Sequence, residues 1–162
     1  MADAGIGPGH LVVDVGAGAG AGALTRPLVE QGARVIAVEL HPDRARALRD
    51  RFIGFDVKVV RADASDLRLP KRPFRVVANP PFSITVSLLR RLVSPGSRLV
   101  RADVIVPWHT ARRWVSASGP GSNRWARTFE AKLGRPLPRS ALRPQPPNGV
   151  AILTITRRRS DR

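Results

Sequence analysis

The chain has no cysteine and no tyrosine, only three histidines, and few acidic residues in its second part. The lack of cysteine excludes disulfides, thiolate nucleophiles and cysteine-ligated zinc, and the scattered histidines argue against a metal centre. No apolar run of about eighteen residues and no secretory leader are evident. We therefore expect a metal-free, cytoplasmic protein without membrane contact, whose 162 residues form a single domain.

Charge is distributed very unevenly along the chain. Residues 1–66 contain eight basic and nine acidic side chains, whereas residues 67–162 contain twenty basic and three acidic ones. Arginine supplies 25 of the 28 basic residues, and its planar guanidinium suits phosphate groups. This predicts a polyanionic partner. Nucleic acid is favoured over an anionic membrane, because no segment combines a basic face with a continuous apolar face along a helix.

Apolar runs alternate with helical patterns. The predicted strands cover residues 11–15, 34–40, 57–63, 74–80, 102–107, 127–134 and 149–158, and the predicted helices cover 23–31, 42–53, 85–94 and 108–117. This alternation predicts an α/β fold with a mostly parallel, doubly wound sheet. The last two strands have no helix between them, which predicts an antiparallel hairpin at the edge of the sheet.

Polar or glycine-rich segments follow the first three predicted strands. Asp14 precedes a run with glycine at 16, 18, 20 and 22, Glu39 ends the second strand, and Asp63 ends the third. In an open parallel sheet, ligands bind beyond the carboxyl ends of the strands. Glycine lets the backbone approach a ligand, Glu39 could accept from both hydroxyls of a ribose, and Asp63 could accept from an adenine amino group. This predicts an adenosine-containing cofactor.

A nicotinamide cofactor is the alternative at this stage. Gly16, Gly18 and Ala21 satisfy the permissive GxGxxA pattern of dinucleotide-binding loops. That pattern is weak in a run so rich in glycine and alanine.

The motif "ANPPF" (residues 78–82) distinguishes between these two cofactors. An exocyclic amine is a poor nucleophile because its lone pair is delocalised into the ring. The side-chain oxygen of Asn79 and the carbonyl of Pro80 could accept its two hydrogens and return electron density to the nitrogen. The adjacent prolines stiffen the loop, and Phe82 could stack on a base turned out of its helix. The motif therefore indicates methylation of a base amine.

Several segments of the sequence resemble motifs of the ribosomal RNA adenine-N6 methyltransferases, in particular the erythromycin-resistance (Erm) type of actinobacteria. These segments are "DVGAG" (14–18), "GALT" (22–25), "GARVIAVELHP" (32–42), "ADA" (62–64), "LPKRPFRVVANPPF" (69–82) and "PRSALRPQPP" (138–147). The resemblance implies the Rossmann-like fold of methyltransferases that use S-adenosylmethionine. It also implies methylation of an adenine in 23S ribosomal RNA, which blocks macrolide, lincosamide and streptogramin B antibiotics.

The resemblance also assigns expected roles to individual residues. The expected catalytic residues are Asn79, Pro80 and Phe82. The expected cofactor-binding residues are Asp14, Gly16, Ala17, Gly18, Gly20, Glu39, Leu40, Asp63, Ala64 and Asn79. Four helical arginines are expected to bind RNA phosphates, namely Arg90, Arg91, Arg112 and Arg113.

Relative to the family, the glycine run contains one additional Gly-Ala unit. Either Gly16 and Gly18 or Gly18 and Gly20 could therefore face the methionine part of the cofactor. The chain is expected to be a monomeric catalytic domain (residues 1–162) without the family's N-terminal segment and C-terminal helical domain. The alternatives are a catalytically inactive RNA-binding or assembly module and a small-subunit dimethyladenosine transferase. A DNA methyltransferase is less favoured, because those enzymes usually have aspartate in place of Asn79 or an added target-recognition domain.

Overall fold

One seven-stranded sheet forms the centre of the computed structural model, which describes residues 4–116, 119, 121–142 and 145–160. The strands are β1 (Leu11–Val15), β2 (Arg34–Glu39), β3 (Val57–Arg61), β4 (Phe74–Ala78), β5 (Leu99–Pro107), β6 (Phe129–Leu137) and β7 (Val150–Arg157). Their order across the sheet is β3-β2-β1-β4-β5-β7-β6. The first five strands are parallel, and β7 runs antiparallel to both β5 and β6. The predicted α/β sheet with an antiparallel edge pair is confirmed.

Helices cover both faces of the sheet. The helices are α1 (Thr25–Glu30), α2 (Pro42–Arg51), α3 (Thr85–Leu92), α4 (Trp108–Val115) and the short α5 (Ser122–Trp125). On one face, Leu28 of α1 and Leu48 of α2 pack on β1 and β2. On the other face, Leu89 of α3 and Trp114 of α4 belong to the larger core over β4, β5 and β7. The continuous apolar run of β1 is thus buried on both faces of the sheet, as is typical of a central parallel strand.

Some element boundaries differ from the predicted ones. Helix α1 begins at Thr25 rather than residue 23, because consecutive turns occupy residues 16–24. Strand β6 continues to Leu137, past the predicted end at residue 134. It includes Pro136, which an edge strand tolerates because proline there removes no central ladder bond. Helix α4 ends at Val115, and the predicted last residue, Ala117, lies outside the described residues.

The parallel register brings four loops to one edge of the sheet. Val15, at the end of β1, is aligned with Val38 of β2 and with Ala78 of β4. Glu39, at the end of β2, is aligned with Arg61 at the end of β3. The segments that follow β1, β2, β3 and β4 therefore leave the sheet at its carboxyl edge, where α/β proteins bind ligands.

Candidate active site at the carboxyl edge of the sheet

The glycine-rich loop after β1 is tied to its neighbours by backbone contacts. The N–H groups of Gly16 and Ala17 both donate to the carbonyl of Val38, at 2.9 and 3.2 Å. Gly16 has φ +76, and a Cβ atom there would lie 3.4 Å from the carbonyl oxygen of Asn79 and 3.6 Å from the Cα of Pro80. The positive φ favours glycine at this position, and the short distances show that the loop after β1 packs directly on the loop after β4.

Gly18 points towards Glu39. Its N–H donates to Glu39 Oε2 at 2.9 Å, while the N–H of His41 donates to Oε1 at 2.9 Å. A Cβ atom on Gly18 would lie 2.5 Å from Oε2 and 2.7 Å from the Cβ of Arg44, so a larger residue would displace its neighbours. The Glu39 side chain is buried and is held in place at the end of β2 by these two bonds.

A cleft of about 400 Å³ opens beside this loop. The loop contributes Gly16, Ala17, Ala19 and Gly20 to its lining, and Asp14 and Asn79 contribute polar groups. The remaining lining is apolar and comes from Ala23, Leu24, Ile105, Leu137, Ala141 and Leu142. In the structure Gly16 and Gly20 line the cleft, whereas Gly18 contacts Glu39.

Asp14 brings an incompletely satisfied carboxylate to the cleft. It is buried, and its Oδ2 accepts a bond of 2.6 Å from the hydroxyl of Thr25 at the start of α1. Its Oδ1 has no hydrogen-bond partner among the described residues. Burial raises the pKa of Asp14 to about 6, while the bond from Thr25 acts in the opposite direction. A buried acceptor without a donor suits a ligand that brings an N–H group.

Sequence reasoning did not identify Thr25 as part of the site. The signal was present in the word "GALT", since a threonine in the first turn of a helix that follows a buried strand can reach back to that strand. The structure makes it the partner of Asp14.

Asp63 is exposed and follows β3. Its Oδ1 accepts from the backbone N–H of Ser65 at 2.9 Å and from the Ser65 hydroxyl at 2.8 Å. These two bonds lower the pKa of Asp63, which therefore stays ionised and able to accept further bonds. The neighbouring Ala64 is buried, whereas Leu40, after β2, is 59% exposed. Two carboxylates and an exposed aliphatic side chain at adjoining strand ends fit an adenosine group.

The loop after β4 presents a polar group and an aromatic ring. Asn79 is exposed, and its side-chain amide has no hydrogen-bond partner among the described residues, whereas Pro80 is buried. The carbonyl of Pro81 accepts from the N–H of Ile84 at 3.1 Å, which closes a 3₁₀ turn that begins at Phe82. The Phe82 side chain is 40% exposed. The loop is thus fixed by its backbone while Asn79 and Phe82 are accessible to a substrate.

The four helical arginines lie on α3 and α4, the two helices that pack on the same face of the sheet. Arg90 and Arg91 are in the last turn of α3, and Arg112 and Arg113 are in the last turn of α4; all four are exposed. Arg91 also has a structural contact, because its Nε donates to the carbonyl of Leu67 at 2.9 Å. All four arginines thus occupy exposed positions on these two helices.

No described residues form a group of three or more histidine, cysteine or carboxylate side chains that could hold a metal ion. In the described part of the chain, no helix is both long and apolar enough to cross a membrane.

Similarity to known proteins supports the resemblance drawn from the motifs. A family model described as ribosomal RNA adenine dimethylase matches residues 2–161. An rRNA adenine N-6-methyltransferase of Corynebacterium diphtheriae is 37% identical over 142 residues, covering 86% of this chain and 56% of that protein. The ribosomal RNA small subunit methyltransferase A of Deinococcus radiodurans is 35% identical over 150 residues, covering 88% of this chain and 50% of that protein.

A solved structure shares the architecture. The crystal structure of the 23S rRNA methyltransferase ErmE superposes with a TM-score of 0.81 at 27% identity, covering 96% of this chain and 64% of that one. The chain spans about half the length of the curated relatives it matches. The resemblance to the rRNA adenine methyltransferases is confirmed, and the fold is that of the S-adenosylmethionine-dependent methyltransferases. The chain belongs to the ribosomal RNA adenine dimethylase family.

Proposed function

We propose that this chain is the catalytic unit of a cytoplasmic, monomeric methyltransferase that modifies adenine N6 in 23S rRNA with S-adenosylmethionine. The observation that carries the proposal is the packing of the Asn79–Pro80 loop against Gly16, at the edge of the sheet that also presents Glu39 and Asp63. The loop that is proposed to bind the base and the carboxylates that are proposed to bind adenosine would thereby act at one edge.

The residues at this edge fit the cofactor. Glu39 would accept from the ribose hydroxyls, and Asp63 would accept from the adenine amino group. The unpartnered Oδ1 of Asp14 would accept from the ammonium of the methionine part, beside the cleft that Gly16 and Gly20 line. S-adenosylmethionine would supply an electrophilic methyl group on a sulfonium centre.

The loop after β4 would bind and activate the target base. The Asn79 side-chain oxygen and the Pro80 carbonyl would accept the two hydrogens of the adenine N6 amine, which raises electron density on its nitrogen. Phe82, with its 40% exposed ring, would stack on the flipped base. The amine proton would be lost to solvent after the methyl transfer, so no side chain with a tuned pKa is required as a general base.

Relatives of two kinds bear on the choice of RNA. The structurally similar ErmE is named a 23S rRNA methyltransferase, and the Deinococcus relative is named a small-subunit methyltransferase. We favour 23S rRNA and macrolide, lincosamide and streptogramin B resistance, because the motifs from Asp14 to Phe82 resemble the Erm type. Methylation of small-subunit rRNA is the second candidate.

Transfer of labelled methyl groups to matched fragments of 23S and 16S rRNA tests the proposal. We expect transfer to the 23S fragment, its loss in Asn79→Ala, and retained transfer in Asn148→Ala, which removes an exposed asparagine that, like Asn79, lies next to two prolines. Transfer by Asn79→Ala at the wild-type rate would overturn the role of this loop. Methylation of the 16S fragment alone would favour the second candidate.

Titration with S-adenosylmethionine separates catalysis from RNA binding. We expect the wild-type protein and Asn148→Ala to bind the cofactor with the same affinity. RNA binding without any cofactor binding would contradict the proposal and indicate a non-catalytic RNA-binding module.

A further inference from the structure

A second concave surface lies beside β3, on the face of the sheet that α3 and α4 cover elsewhere. The connection from β3 to β4 has no α-helix there, but a 3₁₀ turn at Ala64–Asp66 and an extended segment. This leaves an open groove of about 670 Å³, within the size range of about 300–1,000 Å³ of ligand-binding clefts. We call it the β3 groove; its floor includes Ile36, Val60 and Ala62.

The rim of the β3 groove is basic. Lys58, Arg68, Lys71 and Arg72 line it, and Asp66 is the acidic residue in that lining. None of these four basic side chains forms an ion pair with another described residue. The groove thus combines an apolar floor with a rim of cations that have no anionic partner in the described structure.

A shallower cleft of about 370 Å³ continues this surface towards α3. Arg68 and Lys71 line both concavities, with Leu69 and Pro70 on the ridge between them, and Arg91 lies on the far side. The bond from Arg91 to the Leu67 carbonyl holds this guanidinium against the segment that forms the ridge. The basic last turn of α3 and the β3 groove therefore form one continuous surface.

The two helical faces of the molecule differ in charge. The α1–α2 face mixes signs: Glu30 pairs with Arg26 in α1, and Asp43 and Asp50 lie among the arginines of α2. Helices α3 and α4 contain arginines and no acidic residue. A positive potential is thus concentrated on the face that contains the β3 groove.

The β3 groove is connected to the candidate active site. Ala62 lines the groove and is followed directly by Asp63. On the other side, the 3₁₀ turn that begins at Phe82 leads into α3, and α3 packs on the turn Ala64–Asp66. An RNA chain that leaves the active site past Phe82 and follows α3 would reach the shallower cleft beside the groove after about 12 Å, the length of α3.

We propose that the β3 groove holds the RNA backbone a few nucleotides away from the target adenine. Phosphates would contact Lys58, Arg68 and Lys71 on the rim, and a ribose or an unstacked base would lie on the apolar floor. This inference rests on the proposed function, because it takes the substrate to be RNA. It adds a positioning surface that contacts neither the cofactor nor the reacting amine.

A pair of double variants with equal charge loss tests the groove. Arg68→Gln/Lys71→Gln removes two exposed cations from the ridge, and Arg46→Gln/Arg49→Gln removes two exposed cations from α2 on the opposite face. We expect the first variant to bind a structured 23S rRNA fragment about tenfold more weakly and to lower the salt slope of log K by about 1.5, whereas the α2 control changes little. Cofactor affinity stays at the wild-type value in both variants.

Crosslinking gives a second, independent readout. A photoreactive residue in place of Leu69 is expected to crosslink to the RNA fragment, and the same residue in place of Ile53, which is 77% exposed near the end of α2, is not. Equal RNA affinity of the two double variants, or equal crosslinking at both positions, would overturn the proposed role of the β3 groove in binding RNA. These experiments measure RNA binding and do not depend on methyl transfer. They therefore test the groove even if the proposed catalytic function is wrong.

Discussion

Gly18 donates its backbone N–H to Glu39 Oε2 at 2.9 Å, and a methyl group on Gly18 would lie 2.5 Å from that same oxygen. The loop after β1 therefore holds the carboxylate that is proposed to bind the ribose, and it does so at a position that has no room for a side chain.

Gly18→Ala is expected to weaken S-adenosylmethionine binding at least about tenfold. A factor of ten corresponds to a loss of about 1.4 kcal/mol in binding free energy, which displacement of the Glu39 carboxylate is expected to cause. Glu39 must swing away to admit the methyl group, so calorimetric titration should show the loss while thermal stability falls only modestly. Gly149→Ala is the control, since a Cβ atom there meets nothing within 4 Å.

The variant Gly20→Ala tests which glycine of the loop has no room for a side chain. A Cβ atom on Gly20 would meet the Cβ of Ala23 at 3.5 Å, an ordinary contact, so the loop conformation should persist. If Gly20→Ala weakened cofactor binding while Gly18→Ala did not, Gly20 rather than Gly18 would be the constrained position.

Asp14 should make stability depend on pH. Its pKa is about 6 in the folded protein against 3.8 as its ordinary value, so the folded state binds the proton more tightly. The stabilisation is therefore fully present below about pH 4 and is lost as the pH rises through about 6, a change of about 3 kcal/mol. Urea unfolding between pH 4 and 7 should show this decline in the wild-type protein and its absence in Asp14→Asn.

Thr25→Val provides the matched comparison for Asp14. It removes the hydrogen bond that opposes the rise in the Asp14 pKa, so the decline in stability should move to higher pH. Identical pH profiles for the wild-type protein and both variants would show that Asp14 does not titrate in this range.

The sequence predicted the sheet well because its cues are local. Short aliphatic runs that end at glycine, at acidic residues or at "NPPF" indicate buried strands. Because parallel strands end at the same edge of a sheet, Glu39, Asp63 and Asn79 are then expected to lie at one edge. The edge strand β6 was predicted less accurately, because the tolerance of Pro136 depends on which strand is outermost.

The contacts within the site could not be predicted in the same way. The bonds from Gly18 to Glu39 and from Thr25 to Asp14 join residues 21 and 11 positions apart, and they depend on how the turns after β1 fold back. The β3 groove was also missed, because it arises from the path of the segment after Asp66 rather than from a motif.

Phe82→Ala is expected to lower kcat/KM for RNA by about 5- to 150-fold, which corresponds to the loss of one stacking contact of about 1–3 kcal/mol. Because the ring is 40% exposed, stability should change little. Phe82→Trp should retain most of the activity. Val86→Ala, at a neighbouring side chain that is 39% exposed, is the control for general loss of apolar surface. Equal effects of Phe82→Ala and Val86→Ala would contradict stacking.

Arg90 and Arg91 are adjacent in the last turn of α3, yet they should respond differently to alanine. Arg91 donates from Nε to the Leu67 carbonyl, so Arg91→Ala should lower the free energy of unfolding by about 1 kcal/mol as well as weaken RNA binding. Arg90 is exposed and has no such bond to a described residue, so Arg90→Ala should leave stability unchanged and reduce the salt slope of RNA binding by about 0.7–0.9. Urea unfolding and RNA titrations at several salt concentrations measure both quantities. An Arg90→Ala protein with the wild-type salt slope would show that the basic face of α3 does not contact the RNA.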